Sequence, residues 1–377
     1  MIISALLLAS AQISPFEGPS SGLEFFGKIN ADWAIIDADS GLEAATGEFG
    51  NGAELRRARL GLMGPVHEGV NLKMTADLAA AEIRDAFFDV HGIVGQGFFR
   101  LGHFREPMGL VNQSPSHFLT FMERPMSSGL FPSRNLGIAW RREWEPELAT
   151  FTIGVFRESD DAGESIDDGG GNEMALTGRW SWAPYHVGDG DQLVHIGSSF
   201  SWRNPDAGMV QFDGDPGTTI GPSLLDTGVL TAEQVLLLGA DVAWQSGANV
   251  IAAELEYATF DQKGGDRPTM MGWYVEASHF LTGEARIYKL SRPAFAPPDP
   301  AQSWNQADGI GAWELGLRIS QLDLDDQSVA GGTGRNLGVA LNWYLTSNLR
   351  LQTNVFRVTR DGEGDANVFA MRFHLDF

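Results

Sequence analysis

The last twelve residues, ANVFAMRFHLDF (366–377), carry the pattern that decides the fold. Large apolar side chains occupy every second position: Phe369, Met371, Phe373, Leu375 and Phe377. Smaller, polar or charged residues fill the positions between them. Because successive side chains of a strand point to opposite faces, this segment predicts a strand with one apolar face and one polar face.

The same period of two recurs upstream along most of the chain. Leu337, Val339 and Leu341 alternate with Gly, Ala and Asn, and no sustained period of 3.6 residues appears. The sequence therefore predicts an all-β protein. Strand segments are predicted near 22–36, 53–64, 70–79, 83–92, 97–105, 135–144, 147–157, 172–183, 192–203, 234–246, 249–261, 269–292, 313–320, 337–345, 349–355 and 366–377.

Residues 269–292 decide the number of strands. A single-chain bacterial barrel has an even number, with both termini on the periplasmic side. Splitting this segment at Thr282-Gly283-Glu284 gives seventeen strands, whereas one long strand gives sixteen and makes 293–310 a periplasmic connection. We predict a sixteen-stranded antiparallel transmembrane β-barrel, with long outer connections at 37–52, 106–134, 158–171 and 204–233. Residues 106–134 are rich in large apolar groups, and we expect this loop to fold inward as a constriction.

Composition excludes several classes of protein. Of the 377 residues 43% are hydrophobic, yet no stretch beyond residue 12 holds about 18 consecutive apolar residues, as a membrane helix requires. The net charge of -23 argues against a nucleic-acid partner. Cysteine is absent and the eight histidines lack metal-ligand spacing, so we expect no cofactor and no metal. Residues 1–11 are predicted as a signal-peptide remnant, which leaves 12–377 as a single barrel domain.

Six segments in order give the chain a resemblance to the phosphate-selective porin family, the group containing porins O and P. They are ELRRARLG (54–61), RLGHFREPMGL (100–110), FMERPMSSGLFPSRNLGI (121–138), WYVEASHFLTGE (273–284), GAWELGLRISQLDL (311–324) and LNWY (341–344). The resemblance implies a trimeric barrel of the bacterial outer membrane, an arginine ladder along the lumen, and a loop whose basic residue and serines hold an anion. It implies passive diffusion of small hydrophilic solutes or anions rather than enzymatic catalysis. The implied partners are outer-membrane lipid, lipopolysaccharide, and a barrel-assembly machinery that recognises the terminal Phe377.

Arginine suits an anion pathway because its guanidinium stays charged and matches tetrahedral oxyanions bidentately. Arg57 and Arg59 share a face, whereas simple alternation turns Arg56 outward, toward lipopolysaccharide or a neighbouring subunit. Arg124 stands three positions before a serine pair, as the basic residue of the family's constriction loop does. The candidate pore or anion-binding residues are Arg57, Arg59, Arg100, Arg124, Ser127, Ser128, Arg134 and Arg318.

Charge leaves other functions open. No Lys or Arg occurs between Asn204 and Gln262, and alternation places several carboxylates in the lumen. A mixed lumen predicts a less selective or cation-preferring pore instead of a phosphate channel. A secreted β-rich carbohydrate-binding protein or enzyme is a further alternative, and it requires a sandwich that buries both strand faces. The predicted inward carboxylates are Asp241, Glu254, Glu256 and Glu276.

Overall fold

The computed structural model describes residues 22–160, 173–188, 191–262, 264–306 and 308–377. Sixteen antiparallel strands form a closed barrel in which each strand pairs with its neighbour in the chain and β1 pairs with β16. The strands are β1 Glu24–Ala38, β2 Gly52–His67, β3 Val70–Asp77, β4 Glu82–His91, β5 Phe98–Arg105, β6 Arg134–Trp144, β7 Ala149–Arg157, β8 Ala175–Val187, β9 Gln192–Arg203, β10 Gln234–Ser246, β11 Asn249–Asp261, β12 Thr269–Phe280, β13 Ala312–Asp326, β14 Val329–Tyr344, β15 Leu349–Arg360 and β16 Gly364–Asp376.

The two faces of the sheet differ as the alternating pattern predicts. On β16, Phe369 and Phe373 are exposed on the outside of the barrel, whereas Arg372 and His374 are buried inside it. On β14, Leu337 is exposed and Asn342 is buried. An apolar exterior around a polar interior is the arrangement of a barrel in lipid, because hydrocarbon contacts one face and water the other. The closed sheet excludes the sandwich alternative.

The chain between β12 and β13 corrects one prediction. The segment 269–292 is not one long strand: β12 ends at Phe280, and the connection begins at residue 281 instead of 293. Gly283, with a φ of 96°, turns the chain, and Ile287–Lys289 then pairs with Ala294–Ala296 as a separate hairpin. We call residues 281–311 the inner hairpin segment. It enters the barrel from the end where β1 begins and β16 ends, which we call the near end.

Within the described residues, three long connections lie at the opposite, far end of the barrel and bear on the lumen. The first, 39–51, contains helix α1 (Ser40–Thr46), whose N-terminus is capped by the Asp39 carboxylate accepting from Leu42 N at 2.8 Å. The second, 106–133, contains the short helix α2 (Leu110–Gln113) and a 3-10 turn at Met126–Leu130. We call 106–133 the constriction loop and 204–233 the outer loop. In the outer loop Asp213–Gly214 pairs with Leu225–Asp226, nested inside the pairing of Met209–Val210 with Leu230–Thr231. Most of the fourth predicted connection, 158–171, and the predicted signal segment 1–11 lie outside the described residues.

The barrel interior is partly filled, because both loops bring apolar groups into it. Phe121, Met122 and Leu130 of the constriction loop are buried with Phe212 and Leu224 of the outer loop. The predicted inward fold of 106–134 is therefore confirmed. Within the described residues, no helix has the length and apolar character needed to cross a bilayer.

Candidate functional site

An open cavity of about 630 Å³ lies between the constriction loop and the wall formed by β1 to β6. Its lining is strongly basic, although the chain as a whole is acidic. The acidic lining residues are Asp85, Glu123, Asp213, Asp215 and Asp376. The basic lining residues are Lys28, Arg56, Arg57, Arg59, Lys73, Arg84, Arg100, Arg105, Arg124, Arg134, Arg141 and Arg292.

Arg56 and Arg57 both reach into this cavity, which corrects the outward placement expected for Arg56. The pairing of β1 with β2 shifts by one residue between Asn30 and Ala31, so Arg56 is the extra residue of a β-bulge. Two consecutive side chains can then face the lumen. Arg56 Nε lies 3.1 Å from Glu123 Oε1, and Arg57 Nη2 lies 3.1 Å from Glu123 Oε2. Arg59 lies on the same face as predicted, with Nε 2.7 Å from Asp77 Oδ2.

Glu123 ties the constriction loop to this basic wall. Besides Arg56 and Arg57, Arg372 Nη2 of β16 lies 2.5 Å from its Oε1 atom, and Arg372 also binds Asp32. Burial disfavours the carboxylate, but the guanidinium of Arg57, followed by those of Arg372 and Arg56, outweighs burial and holds the pKa of Glu123 well below its ordinary value. The loop is thus held by an ionised group that also neutralises part of the arginine charge.

Arg124, the next residue, is held by carbonyl groups instead of a carboxylate. Its Nε and Nη2 donate to Val111 O at 3.1 Å and Ser114 O at 2.6 Å, both within the constriction loop. Among the described residues it has no ion pair. Burial lowers the pKa of Arg124 to about 10, with the Glu123 carboxylate opposing that shift, so the guanidinium stays protonated at neutral pH. The result is a fixed positive charge on the cavity wall.

The serine pair after Arg124 is divided between two environments. Ser128 lines the cavity together with Arg124. Ser127 is fully buried on the other side of the loop, where its Oγ lies 3.4 Å from Glu256 Oε1. Of the predicted basic residue and two serines, Arg124 and Ser128 line the cavity and Ser127 does not.

The other predicted arginines fall into two groups. Arg100 and Arg134 line the cavity, and each pairs with a carboxylate: Arg100 Nε lies 2.7 Å from Asp89 Oδ1, and Arg134 Nε lies 2.7 Å from Asp85 Oδ1. Arg318 does not line it. It lies on β13 beneath Phe121, 4.2 Å from the ring centre, and its Nη1 donates to Glu123 O at 2.9 Å. Arg318 fastens the loop to the wall.

The predicted inward carboxylates do face the barrel interior, where Asp241, Glu254 and Glu256 are buried and Glu276 is partly exposed. Glu254 accepts hydrogen bonds from Leu110 N at 3.0 Å and Val111 N at 3.1 Å, which holds the start of α2. Asp241 pairs with Arg179 at 2.6 Å and with His195 at 2.8 Å. Neither carboxylate lines the cavity, nor do Glu256 and Glu276. The acidic wall is therefore used for anchoring, and the basic wall faces the open space.

Seven of the twelve cationic residues that line the cavity were not candidates: Lys28, Arg56, Lys73, Arg84, Arg105, Arg141 and Arg292. Alternation along β1 places Lys28 inward opposite Arg59, so this one was open to prediction. Arg84 occupies a second β-bulge, since the pairing of β3 with β4 shifts at that residue. Arg105 contacts the Asn112 side chain of the constriction loop. Arg292 comes from the inner hairpin segment, and nothing in the local sequence places it inside the barrel.

The inner hairpin segment is fixed to both the wall and the constriction loop. Arg286 Nη2 lies 2.6 Å from Glu314 Oε1, and its Nη1 donates to Phe118 O at 2.7 Å. The Tyr288 hydroxyl lies 2.8 Å from His195 Nδ1. A connection from the near end thus meets a loop from the far end, and the two bound the cavity together.

A second cavity of about 650 Å³ opens toward the far end of the barrel. It shares Arg84, Phe131, Ser133 and Arg134 with the first cavity, so the two spaces meet at these residues. The second cavity also reaches the outer loop, where Met209, Val210 and Phe212 line it. The two cavities therefore share part of their walls, and the outer loop lies on the far-end side.

Comparison with known proteins places this geometry in a family. Residues 24–377 match the family described as phosphate-selective porin O and P. An uncharacterized protein of Caulobacter vibrioides is 31% identical over 372 residues, covering 93% of this chain and 73% of that protein. Porin O of Pseudomonas aeruginosa is 24% identical over 404 residues, covering 93% and 87% of the two chains.

Solved structures agree on the fold. An anion-selective porin from Comamonas acidovorans has a TM-score of 0.59 at 13% identity, covering 95% of this chain and all of that one. OmpT of Vibrio cholerae has a TM-score of 0.58 at 11% identity, covering 97% of this chain and all of that one. The chain therefore belongs to the phosphate-selective porin O and P family and is a channel protein of the bacterial outer membrane.

Proposed function

We propose that this porin conducts small anions, phosphate among them, by passive diffusion along the basic wall of the lumen. The observation that carries the proposal is the separation of charge inside the barrel. Basic side chains from β1 to β6 and the constriction loop line the open cavity, whereas the carboxylates of β10 to β12 do not line it: Glu254 binds the constriction loop and Asp241 pairs with Arg179 of the wall. Rings and rows of arginine select anions because they replace part of the hydration of the ion.

Arg124 and Ser128 are the proposed anion site. Arg124 Nη1 has no hydrogen-bond partner among the described residues, and the neighbouring carbonyl groups hold the rest of the guanidinium still. The Ser128 hydroxyl lines the same cavity and offers a neutral donor. Arg57 and Arg59 extend the positive wall, but Glu123 and Asp77 share their charge. We expect these two paired arginines to attract the ion and Arg124 to bind it.

Planar-bilayer recording of Arg124→Ala tests this function. Phosphate added to a chloride solution should block the wild-type current, and loss of one charge-assisted hydrogen-bonding group should weaken that block about tenfold to hundredfold. Arg335→Ala is the matched control, because Arg335 is an exposed arginine paired with Asp361 at 3.1 Å and lies outside the cavity.

An unchanged phosphate block in Arg124→Ala would remove this residue from the anion site. A reversal potential that shows cation preference in a salt gradient would refute the anion pathway as a whole. That second outcome would favour the less selective or cation-preferring pore, for which Asp213 and Asp215 inside the cavity are the specific supporting observation.

The homotrimer is also proposed, and the short wall of the barrel supports it. Strands β3 and β5 have eight residues each, whereas β14 has sixteen. Eight residues tilted by about 45° rise about 19 Å, which is less than the apolar band of about 25 Å that a barrel presents to lipid. A neighbouring subunit against β3 to β5 would cover the deficit.

Two further partners follow from the surface of the barrel. Phe377 is exposed and closes the seam, with its amide donating to Gly27 O at 3.0 Å, and we propose it as the residue that the assembly machinery recognises. Arg335 and Arg357 are exposed near the far end, where we propose that lipopolysaccharide phosphates bind. Arg56 is not proposed to bind lipopolysaccharide, because its side chain faces the lumen.

A further inference from the structure

The cavity wall carries aromatic rings among its cations. Phe26 of β1, Phe87 of β4 and Phe104 of β5 all line the 630 Å³ cavity. Phe87 and Phe104 contact each other edge to face, with ring centres 6.0 Å apart. The interior of a porin is ordinarily polar, so three inward phenylalanines on one wall require an explanation.

The rings are interleaved with positive charge. The Arg100 guanidinium lies 4.0 Å from the centre of the Phe87 ring, and Lys73 Nζ lies 5.9 Å from the centres of both Phe26 and Phe87. Cations above ring faces are attracted by the ring quadrupole, which holds the two kinds of side chain side by side. An apolar surface and a cationic surface therefore adjoin within one cavity.

Packing of the loops does not account for this ring cluster. Phe87 and Phe104 pack with Ala139, Phe156 and Ala175, all of which belong to barrel strands. Phe121 and Met122 of the constriction loop belong to a different apolar cluster. Phe26 is the half-buried member, so its ring is the one that the cavity exposes most.

We infer that the cavity takes organic anions that carry a flat apolar group, and that their carboxylate or phosphate binds at the arginines while the apolar group lies on Phe26. This inference rests on the proposed anion function and adds a substrate class to it. A purely inorganic ion gains nothing from the rings. An aromatic ester gains the transfer of part of its ring out of water.

Two phosphate monoesters of equal charge test the inference. Phenyl phosphate and methyl phosphate differ only in the organic group, and each is titrated as a blocker of chloride current through the wild-type porin. Phenyl phosphate should block at about fivefold lower concentration, as expected when roughly half of a phenyl ring leaves water. Equal blocking by the two esters would overturn the inference.

Substitutions of Phe26 locate the effect. Phe26→Thr should bring the ratio of the two esters close to one, and Phe26→Tyr should restore the ratio because it keeps the ring. Each variant must still give stepwise single-channel conductance, which shows that the barrel has assembled. A ratio that Phe26→Thr leaves intact would overturn the assignment to this wall.

The same recordings separate this inference from the proposed function. If inorganic phosphate blocks the current but the phenyl group adds nothing, the anion site survives and only the aromatic preference is overturned. If neither ester nor inorganic phosphate blocks, the proposed anion site is overturned, and the inference that rests on it is overturned too.

Discussion

Neutralising Asp215 should raise the anion selectivity of the channel. Asp215 belongs to the outer loop and lines the basic cavity, where its Oδ1 accepts from Ser223 Oγ at 3.2 Å. Partial desolvation by the surrounding loops raises the pKa of Asp215 to about 6, and the neighbouring Asp213 carboxylate adds to the effect. The group is therefore charged above about pH 6 and neutral below it, so acidification removes one negative charge from the anion path.

The size of the effect follows from the dimensions of the cavity. A volume of 630 Å³ is about 10 Å across if it is taken as a sphere. One unit charge acting on an anion over about 10 Å contributes about 0.4 kcal/mol in bulk water and about 1.7 kcal/mol at an effective dielectric constant of 20. We expect at least a twofold rise in the ratio of anion to cation permeability, and a smaller rise at high salt because mobile ions screen the charge.

Reversal potentials in potassium chloride gradients at pH 7.5 and pH 5 measure this ratio without the titration of phosphate itself. The ratio of anion to cation permeability of the wild type should be higher at pH 5 than at pH 7.5. Asp215→Asn should have the high ratio of the pH 5 wild type at both pH values. Asp226→Asn is the matched control, because Asp226 lies in the same loop, is exposed and does not line the cavity. His117 also lines the cavity. Burial, followed by the charge of Lys28, holds the pKa of His117 well below its ordinary value, so this side chain should stay neutral over most of the range from pH 7.5 to pH 5. An Asp215→Asn channel with the same pH dependence as wild type would refute the reasoning.

Two further predictions concern the loop and the assembly. Glu254→Ala should loosen the constriction loop, because it removes two charge-assisted hydrogen bonds to α2 that are worth roughly 1.5 to 3 kcal/mol each. The single-channel current should then become larger and noisier. Glu254→Gln keeps one acceptor and should change the current less. Unaltered current in Glu254→Ala would mean that other contacts hold the loop. Detergent-solubilised protein should have the mass of three chains by light scattering. A charged substitution at Met74, on the outer face of β3 where the neighbouring subunit is proposed, should reduce it to one chain; a monomeric wild type would contradict the trimer.

Alternation predicted most of the fold because it is a local property of each strand. Phe369, Phe373 and Leu337 face outward and Arg372 and Asn342 inward, as their positions in the pattern require. The strand number was also predicted, but by a wrong division of 269–292. The inner hairpin segment has strand-like residues that pair with each other instead of with the barrel, and no local pattern distinguishes these two outcomes.

Alternation predicted Arg57 and Arg59 inside the barrel and could also have predicted Lys28, but it fails where the backbone departs from a regular strand. Arg57 and Arg59 lie as expected, whereas the bulges at Arg56 and Arg84 turn extra arginines inward. A bulge depends on how the partner strand is paired, which the sequence of one strand does not contain. Arg318 follows the alternation and faces the lumen as predicted, but the constriction loop covers it, so it does not line the cavity.

The sequence by itself determined a closed apolar-outside barrel, its long loops and the family, because these depend on residue type at every second position and on motifs in order. Only the tertiary structure decided which charges face the open space. Glu254 and Asp241 are as inward as Arg59, yet they are covered, because contacts between residues far apart in the chain set where the loops and the inner hairpin segment lie. Net charge is a sum over all residues, whereas selectivity depends on the few that remain uncovered.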